Sequence, residues 1–337
     1  MHNLAAANRF GRRVAIAALG LAMGTVVPLC PARAQTSQAP SLTELTTAGP
    51  LAPLHGTLLR PANPADAPVV LILPGSGPTD RDGNNPLGVS AASYRLLAEA
   101  LAAHGIAALR IDKRGLGASR AAVANGNAVT IADYVRDVRG WVAAARAATG
   151  ARCVWLLGHS EGGLVALATG DAPGVCGHVL VASVGRPFGV VIREQLRANP
   201  ANAAILPQAE ATLVSLEKGE RVDVSMLHPA LQALFSPAVQ GYFIDLLAHD
   251  PAKMAAALKL PMVIVQGLSD VQVAEADARA LAAARPDAQL VMVPGMNHVL
   301  KQIGAQSLTA NFATYSNPNL PIDPALVDAV AQAVAHR

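Results

Sequence analysis

The clearest chemistry in this 337-residue chain lies in Gly158-His159-Ser160-Glu161-Gly162. A Gly-x-Ser-x-Gly string acquires meaning when a strand leads into it and a helix leaves it, because that sharp turn strains the serine backbone and lifts its hydroxyl above a sheet. Both conditions hold. The aliphatic run Cys153 to Leu157 precedes the turn, and Leu164 to Ala168 follows it as a helical pattern. Gly158 and Gly162 remove side chains where strand and helix come close.

A serine hydroxyl is a weak nucleophile at neutral pH, so it needs a base within hydrogen-bond reach and a carboxylate that orients the base. Above a sheet of this kind, acid and base follow the serine in that order along the chain. Asp270 comes just past the carboxyl end of a strand through Val263-Ile264-Val265, and His298 just past a strand over Gln289 to Val293. The competing acids are poorly placed: Asp277 falls within a predicted helix and Asp287 before a strand, at the wrong edge of the sheet. Of the nine histidines, His2 is near the N-terminus and His336 at the tail, His55, His104 and His178 lie at or before strand starts, and His228 and His249 lie between strands. His159 adjoins Ser160, but its backbone direction carries its ring away from the hydroxyl. His298 remains as the base.

Attack on a carbonyl also needs donors for the oxyanion, usually the amide after the nucleophile and one from the loop after an earlier strand. Glu161 supplies the first amide. Leu73-Pro74-Gly75-Ser76-Gly77-Pro78 follows a strand at Val69 to Leu73, and Ser76 is the expected second donor, with Gly77 behind it. A phosphate-binding glycine loop is the rival reading, but no Lys follows in P-loop spacing and no helix starts at once.

These residues need a frame. Aliphatic runs at Val69–Leu73, Ile106–Ile111, Cys153–Leu157, His178–Ala182, Met262–Val265 and Gln289–Val293 alternate with helical patterns at 92–103 and 131–148. Such alternation predicts a mostly parallel, doubly wound sheet with helices on both faces. Leu54 to Arg60 reads as an edge strand, and 35–50 as a flexible N-terminal segment. Residues 186–258 lack a comparable strand signal and show four helical patterns, at 190–197, 206–216, 229–234 and 238–249. A structureless loop of that length is unfavourable in a compact domain, so this segment is expected to be a helical lid inserted into a domain spanning 51–337.

Composition limits the partners. Apolar residues make up 52% of the chain and charged residues 15%, which argues against disorder. Arg9, Arg12 and Arg13 precede the apolar stretch Val14 to Leu29, and Ala32-Arg33-Ala34 forms a small-x-small cleavage pattern, so 1–34 reads as a signal peptide and the mature protein as exported, periplasmic or secreted. The leader holds four arginines and no acid, so its removal takes the net charge from +3 to about −1. No basic footprint for nucleic acid remains, and no stable membrane anchoring is expected after cleavage. Neither a metal nor an organic cofactor is expected, since no His, Cys and carboxylate cluster has ligand spacing. Cys153 and Cys176 each lie seven residues before a serine at a strand's end. If those strands are parallel neighbours, the two sulfurs share a level at the bottom of the sheet and a disulfide is possible; the alternative is two small buried apolar side chains.

With these residues in place the chain resembles the α/β-hydrolase superfamily across nearly all of its mature length. Within it, Gly75-Ser76-Gly77-Pro78-Thr79-Asp80-Arg81-Asp82-Gly83-Asn84 looks like the loop of bacterial esterases related to the serine aminopeptidase-like hydrolases. Asp112-Lys113-Arg114-Gly115-Leu116-Gly117-Ala118-Ser119 resembles their Asp-x-Arg-Gly-x-Gly-x-Ser turn. Many relatives carry His before the first glycine of the oxyanion loop, where this chain has Pro74; the departure bears on loop geometry and leaves the triad untouched. Asp80, Arg81, Asp82 and Arg114 read as a structural charge network, with substrate contact the lesser alternative. The resemblance implies an α/β-hydrolase fold and hydrolysis of a small-molecule carboxylic ester by Ser160, His298 and Asp270. A peptidase or thioesterase uses the same triad, and a ligand-binding, non-catalytic relative could retain it. Dehalogenase and epoxide hydrolase chemistry is disfavoured, because those relatives carry Asp at the nucleophile position.

Overall fold

The computed structural model describes residues 39–304 and 307–335; the expected leader lies outside the described residues. Continuous aliphatic runs form strands buried along their whole length: β3 (Val69–Leu73), β4 (Ala107–Ile111), β5 (Val154–His159), β6 (Val175–Val181) and β7 (Met262–Gly267). Burial of both faces is what such runs require. With β1 (Ser41–Thr47), β2 (Leu54–Arg60) and the half-exposed β8 (Gln289–Val293) they make an eight-stranded sheet in the order β1-β2-β4-β3-β5-β6-β7-β8. β3 to β8 run parallel, while β2 is antiparallel to both β1 and β4.

One core packs α1 (Ser93–Ala103) and α11 (Pro324–Ala335) onto the sheet through Leu97, Leu101, Leu326 and Val330. The other packs α2 (Ile131–Thr149), α3 (Glu161–Thr169) and α9 (Glu275–Ala284) onto the opposite face through Trp141, Leu164 and Leu281. α2 starts on a capping box in which the Thr130 hydroxyl accepts from the Asp133 amide and the Asp133 carboxylate accepts from the Thr130 amide; it ends on Gly150 at φ 77°.

Two expectations at the N-terminal side need correction. Part of 35–50 is not a flexible lead-in: Ser41–Thr47 pairs along its whole length with β2, which is therefore not the edge strand. The sequence signal is weak because Leu45 is the only side chain of β1 that packs on the core, and Leu42 is exposed. The strand is held instead by its ladder and by the Glu44 carboxylate, which accepts from the Thr57 hydroxyl at 2.6 Å and from Arg81 at 2.7 Å.

Between β6 and β7 the expected helices are present as α4 (Phe188–Ala198), α5 (Leu206–Glu217), α6 (Pro229–Leu234) and α7 (Gln240–Leu247). They close on a small core of their own, made by Ile205, Ala209, Leu213, Leu216, Leu231 and Phe235. The last part of 186–258 belongs elsewhere: α8 (Pro251–Ala257) packs against α3 and α9 in the layer that covers the sheet. Cys153 and Cys176 form a disulfide with their Cα atoms 5.2 Å apart, at the ends of β5 and β6 remote from Ser160.

Candidate active site

Ser160 stands between β5 and α3 with φ 55° and ψ −122°, a conformation that costs a non-glycine residue energy and persists only where its surroundings impose it. The surroundings do so on both sides. The Ser160 amide donates to the Val181 carbonyl at 3.0 Å, extending the sheet, and the Gly163 amide donates back to the Ser160 carbonyl at 3.0 Å. A Cβ on Gly162 would fall on the Leu73 carbonyl oxygen, so only glycine lets α3 begin this close to β3.

Asp270 and His298 are brought together from the ends of β7 and β8. The His298 Nδ1 lies 2.8 Å from Asp270 Oδ2, with both side chains almost fully buried. Asp270 Oδ1 accepts from the amides of Gln272 at 2.7 Å and Val273 at 2.9 Å. Burial alone would raise this carboxyl's pKa. The His298 ring and the two amides outweigh burial and hold it below the ordinary carboxylate range. An ionised Asp270 makes Nδ1 of His298 the protonated nitrogen and leaves Nε2 with its lone pair, the state a general base needs.

The loops that carry the pair are joined. The Ser269 amide donates to the Met296 carbonyl at 3.0 Å. Asn311, on α10 (Leu308–Ala313), donates to the Ser269 carbonyl at 2.7 Å, while buried Asn297 donates to Asn311 Oδ1 at 2.9 Å and to Thr314 at 2.7 Å. The rival acids have other tasks. Asp277 accepts from the amides of Gly185 and Arg186 at 3.1 Å and anchors the start of the helical insertion; Asp287 pairs with Arg285.

His159 belongs to a buried relay that the sequence did not reveal, with its ring centre 4.7 Å from that of His298. Its Nε2–H donates to the backbone carbonyl of His298 at 2.9 Å, which leaves Nδ1 as acceptor of the Tyr94 hydroxyl proton at 2.8 Å. The Tyr94 oxygen in turn accepts from the Gly75 amide at 3.0 Å. Burial, reinforced by the neighbouring His298 ring, drives the His159 pKa down to about 3, so the ring is neutral near pH 7. The relay thus fastens the loop before Ser76 to the loop of His298. Gly75 also approaches the nucleophile directly, since a Cβ there would lie 3.2 Å from Ser160 Cβ.

Ser76, Ser160 and Glu161 line one cavity of about 770 Å³. Val191, Ile192 and Leu196 of α4 and Phe243 and Leu246 of α7 supply an apolar wall. The charged residues of the Gly75–Asn84 loop are structural, as the sequence suggested: Arg81 donates twice to Asp112 Oδ2, Asp82 pairs with Arg110, and Asp80 accepts from the amides of Asp82 and Asn84. Arg114 is clamped by Asp137 and Asp133 and reaches the cavity wall as well.

A parallel sheet with this turn at the end of a central strand, and with acid and histidine at the ends of later strands, defines an α/β hydrolase. Residues 87–301 match the Hydrolase_4 family, described as serine aminopeptidase, S33, and the chain belongs to that family. The matched segment contains Ser160, Asp270 and His298 and begins after Ser76. Esterase EstD of Thermotoga maritima is 26% identical over 288 residues, covering 83% of this chain; the match spans 65% of EstD. In fold, the chain is similar to the Pyrococcus furiosus esterase Pf2001 (TM-score 0.53, 14% identity, 87% of this chain and 91% of that one). Est1E from Butyrivibrio proteoclasticus is similar to the same degree (TM-score 0.53, 16% identity, 87% and 99%).

Proposed function

We propose that the protein hydrolyses carboxylic esters through an acyl-enzyme on Ser160. The observation that carries this reading is the buried 2.8 Å Asp270–His298 pair, which makes Nε2 the basic nitrogen of the imidazole, alongside a strained serine that lines the cavity. His298 takes the Ser160 proton as the oxygen attacks the ester carbonyl, and Asp270 stabilises the imidazolium that forms. The amides of Ser76 and Glu161 hold the oxyanion. His298 returns the proton to the leaving alcohol, then activates the water that releases the acid.

The apolar wall from α4 and α7 favours an ester with an apolar acyl or alkyl group over a peptide, whose backbone needs hydrogen-bonding partners along its length. The part of the insertion that carries α4 to α7 is read as the lid that excludes water from this cavity. The family description gives the peptidase reading its support, because the same triad cleaves amides. The Cys153–Cys176 bridge supports export, since disulfides persist in oxidising compartments.

The test compares wild type with Ser160→Ala on p-nitrophenyl acetate, butyrate and octanoate, a thioester of the same acyl groups, and aminoacyl p-nitroanilides. Ester hydrolysis that vanishes with Ser160 supports the proposal. A rate kept by Ser160→Ala, or a kcat/KM higher on the anilides than on every ester, contradicts it.

A further inference from the structure

The residue two places past β4 is a lysine, in a position where a lysine is costly. β3 and β4 pair in parallel with Ile72 opposite Arg110, and the same register carried beyond the strands sets Gly75 opposite Lys113. Lys113 is buried, and its Nζ donates to the Gly75 carbonyl at 2.6 Å. The ammonium also stands 4.0 Å from Glu161 Oε1 and 5.7 Å from the centre of the Tyr134 ring. Burying an ammonium is unfavourable unless it is paired and hydrogen-bonded. Burial here pulls the lysine pKa below its ordinary range, and the Glu161 charge opposes that fall.

The two partners of this ammonium share one property. The Gly75 carbonyl and the Ser76 N–H belong to a single peptide unit, and in a trans peptide those groups point in opposite directions. Gripping the carbonyl from one side therefore fixes the direction of the Ser76 N–H on the other. Glu161, the second partner, carries the other proposed oxyanion amide in its own backbone. Among the described residues Lys113 is the donor to the Gly75 carbonyl, whereas the Gly75 amide is already held by Tyr94.

Resting on the hydrolase reading above, we infer that Lys113 is the positioning residue of the oxyanion site, one buried ammonium that ties the two donor segments together. Lys113 lines the cavity with Ser160 and Glu161, and its hydrogen bond goes to the loop backbone at Gly75. Its effect is to hold the donors where the oxyanion develops, so its loss falls on the transition state and spares ground-state binding.

The experiment uses Lys113→Met and, because that change leaves the Glu161 carboxylate without the cation beside it, the double variant Lys113→Met/Glu161→Gln. Each is assayed on p-nitrophenyl butyrate for kcat and KM per mole of folded protein. Each is also titrated with butylboronic acid, which forms a tetrahedral adduct on the serine. Removing an oxyanion donor outright costs about 10²–10³ in kcat, so a donor left in place but misdirected should cost about 10–100-fold. The expected result is that loss in kcat with KM within about threefold, and an equal fall in boronate affinity, in whichever variants fold. A folded variant whose kcat and boronate affinity both stay within about threefold of wild type overturns the inference, as does a rise in KM at unchanged kcat. Ser160→Ala run alongside separates the two failures: activity there removes the hydrolase reading itself, whereas an inert Ser160→Ala with an unaffected Lys113→Met removes only the role of Lys113.

Discussion

Replacing Asp270 by Asn keeps size and shape and changes one hydrogen bond, and the structure dictates which one. Oδ1 accepts from two amides, those of Gln272 and Val273, and Oδ2 faces His298 Nδ1. The asparagine carbonyl will take the Oδ1 place, because turning the amide round would leave two backbone N–H groups facing another donor, at about 1–3 kcal/mol each. Its NH₂ must then face Nδ1. Two donors cannot share that contact, so His298 moves its proton to Nε2 and accepts at Nδ1, which removes the lone pair that should take the Ser160 proton. A base locked in the wrong tautomer costs about 10⁴ in kcat, or ~5 kcal/mol of barrier. The assay is kcat on p-nitrophenyl butyrate, with the His298 tautomer read by ¹⁵N NMR in both proteins. A folded Asp270→Asn with kcat within about tenfold of wild type, or with the proton still on Nδ1, would refute the reasoning.

Three other outcomes follow. Tyr94→Phe leaves the Gly75 amide and His159 Nδ1 without the Tyr94 hydroxyl, which should lower stability by about 2–6 kcal/mol and kcat by about tenfold; kinetics beside urea unfolding measure both, and an unchanged kcat and midpoint would exclude a role for the relay. Replacing Cys153 and Cys176 by Ser opens a crosslink with a sequence separation of 23, worth about 3 kcal/mol by loop-closure entropy. Urea unfolding should show that loss while kcat at 25 °C is kept. His159 and His178 are buried, with pKa values driven by burial down to about 3 and about 4. A histidine whose folded pKa is depressed contributes stability that is present above its unfolded pKa of about 6.5 and lost as pH falls toward the folded value. The unfolding free energy should therefore fall between pH 6.5 and 4 with a histidine component of up to ~2.7 kcal/mol per pH unit for the two groups. His178→Leu should roughly halve that component, and a slope unchanged by the substitution would exclude His178 as a source.

The parts of the site that could be read from sequence are those whose chemistry has local punctuation. Ser160 is flanked by glycines that the backbone needs, while Asp270 and His298 each follow an aliphatic strand, so strand recognition and chain order suffice to place these three at strand ends. Cys153 and Cys176 could be related because parallel strands convert equal spacing into equal height. The relay was illegible. Tyr94 sits inside an ordinary helical pattern 65 residues from His159, and Lys113 is one residue of a turn whose place opposite Gly75 follows only from the β3–β4 register. Such side chains reveal their role only when the sheet brings distant loops to one edge. β1 escaped for the opposite reason: its place is set by ladder hydrogen bonds and a charged side chain, and hydrophobic patterning records neither.

Ester hydrolysis by this route passes through a covalent intermediate on Ser160, and trapping that intermediate is the most direct test. Wild-type protein is mixed with excess p-nitrophenyl butyrate, acid-quenched within milliseconds, digested and examined by mass spectrometry. A butyryl group on the peptide that contains Ser160, formed with a burst of p-nitrophenol and absent from Ser160→Ala, is the predicted result. Steady ester hydrolysis with no acyl adduct on Ser160, or with the adduct on another residue, would contradict it.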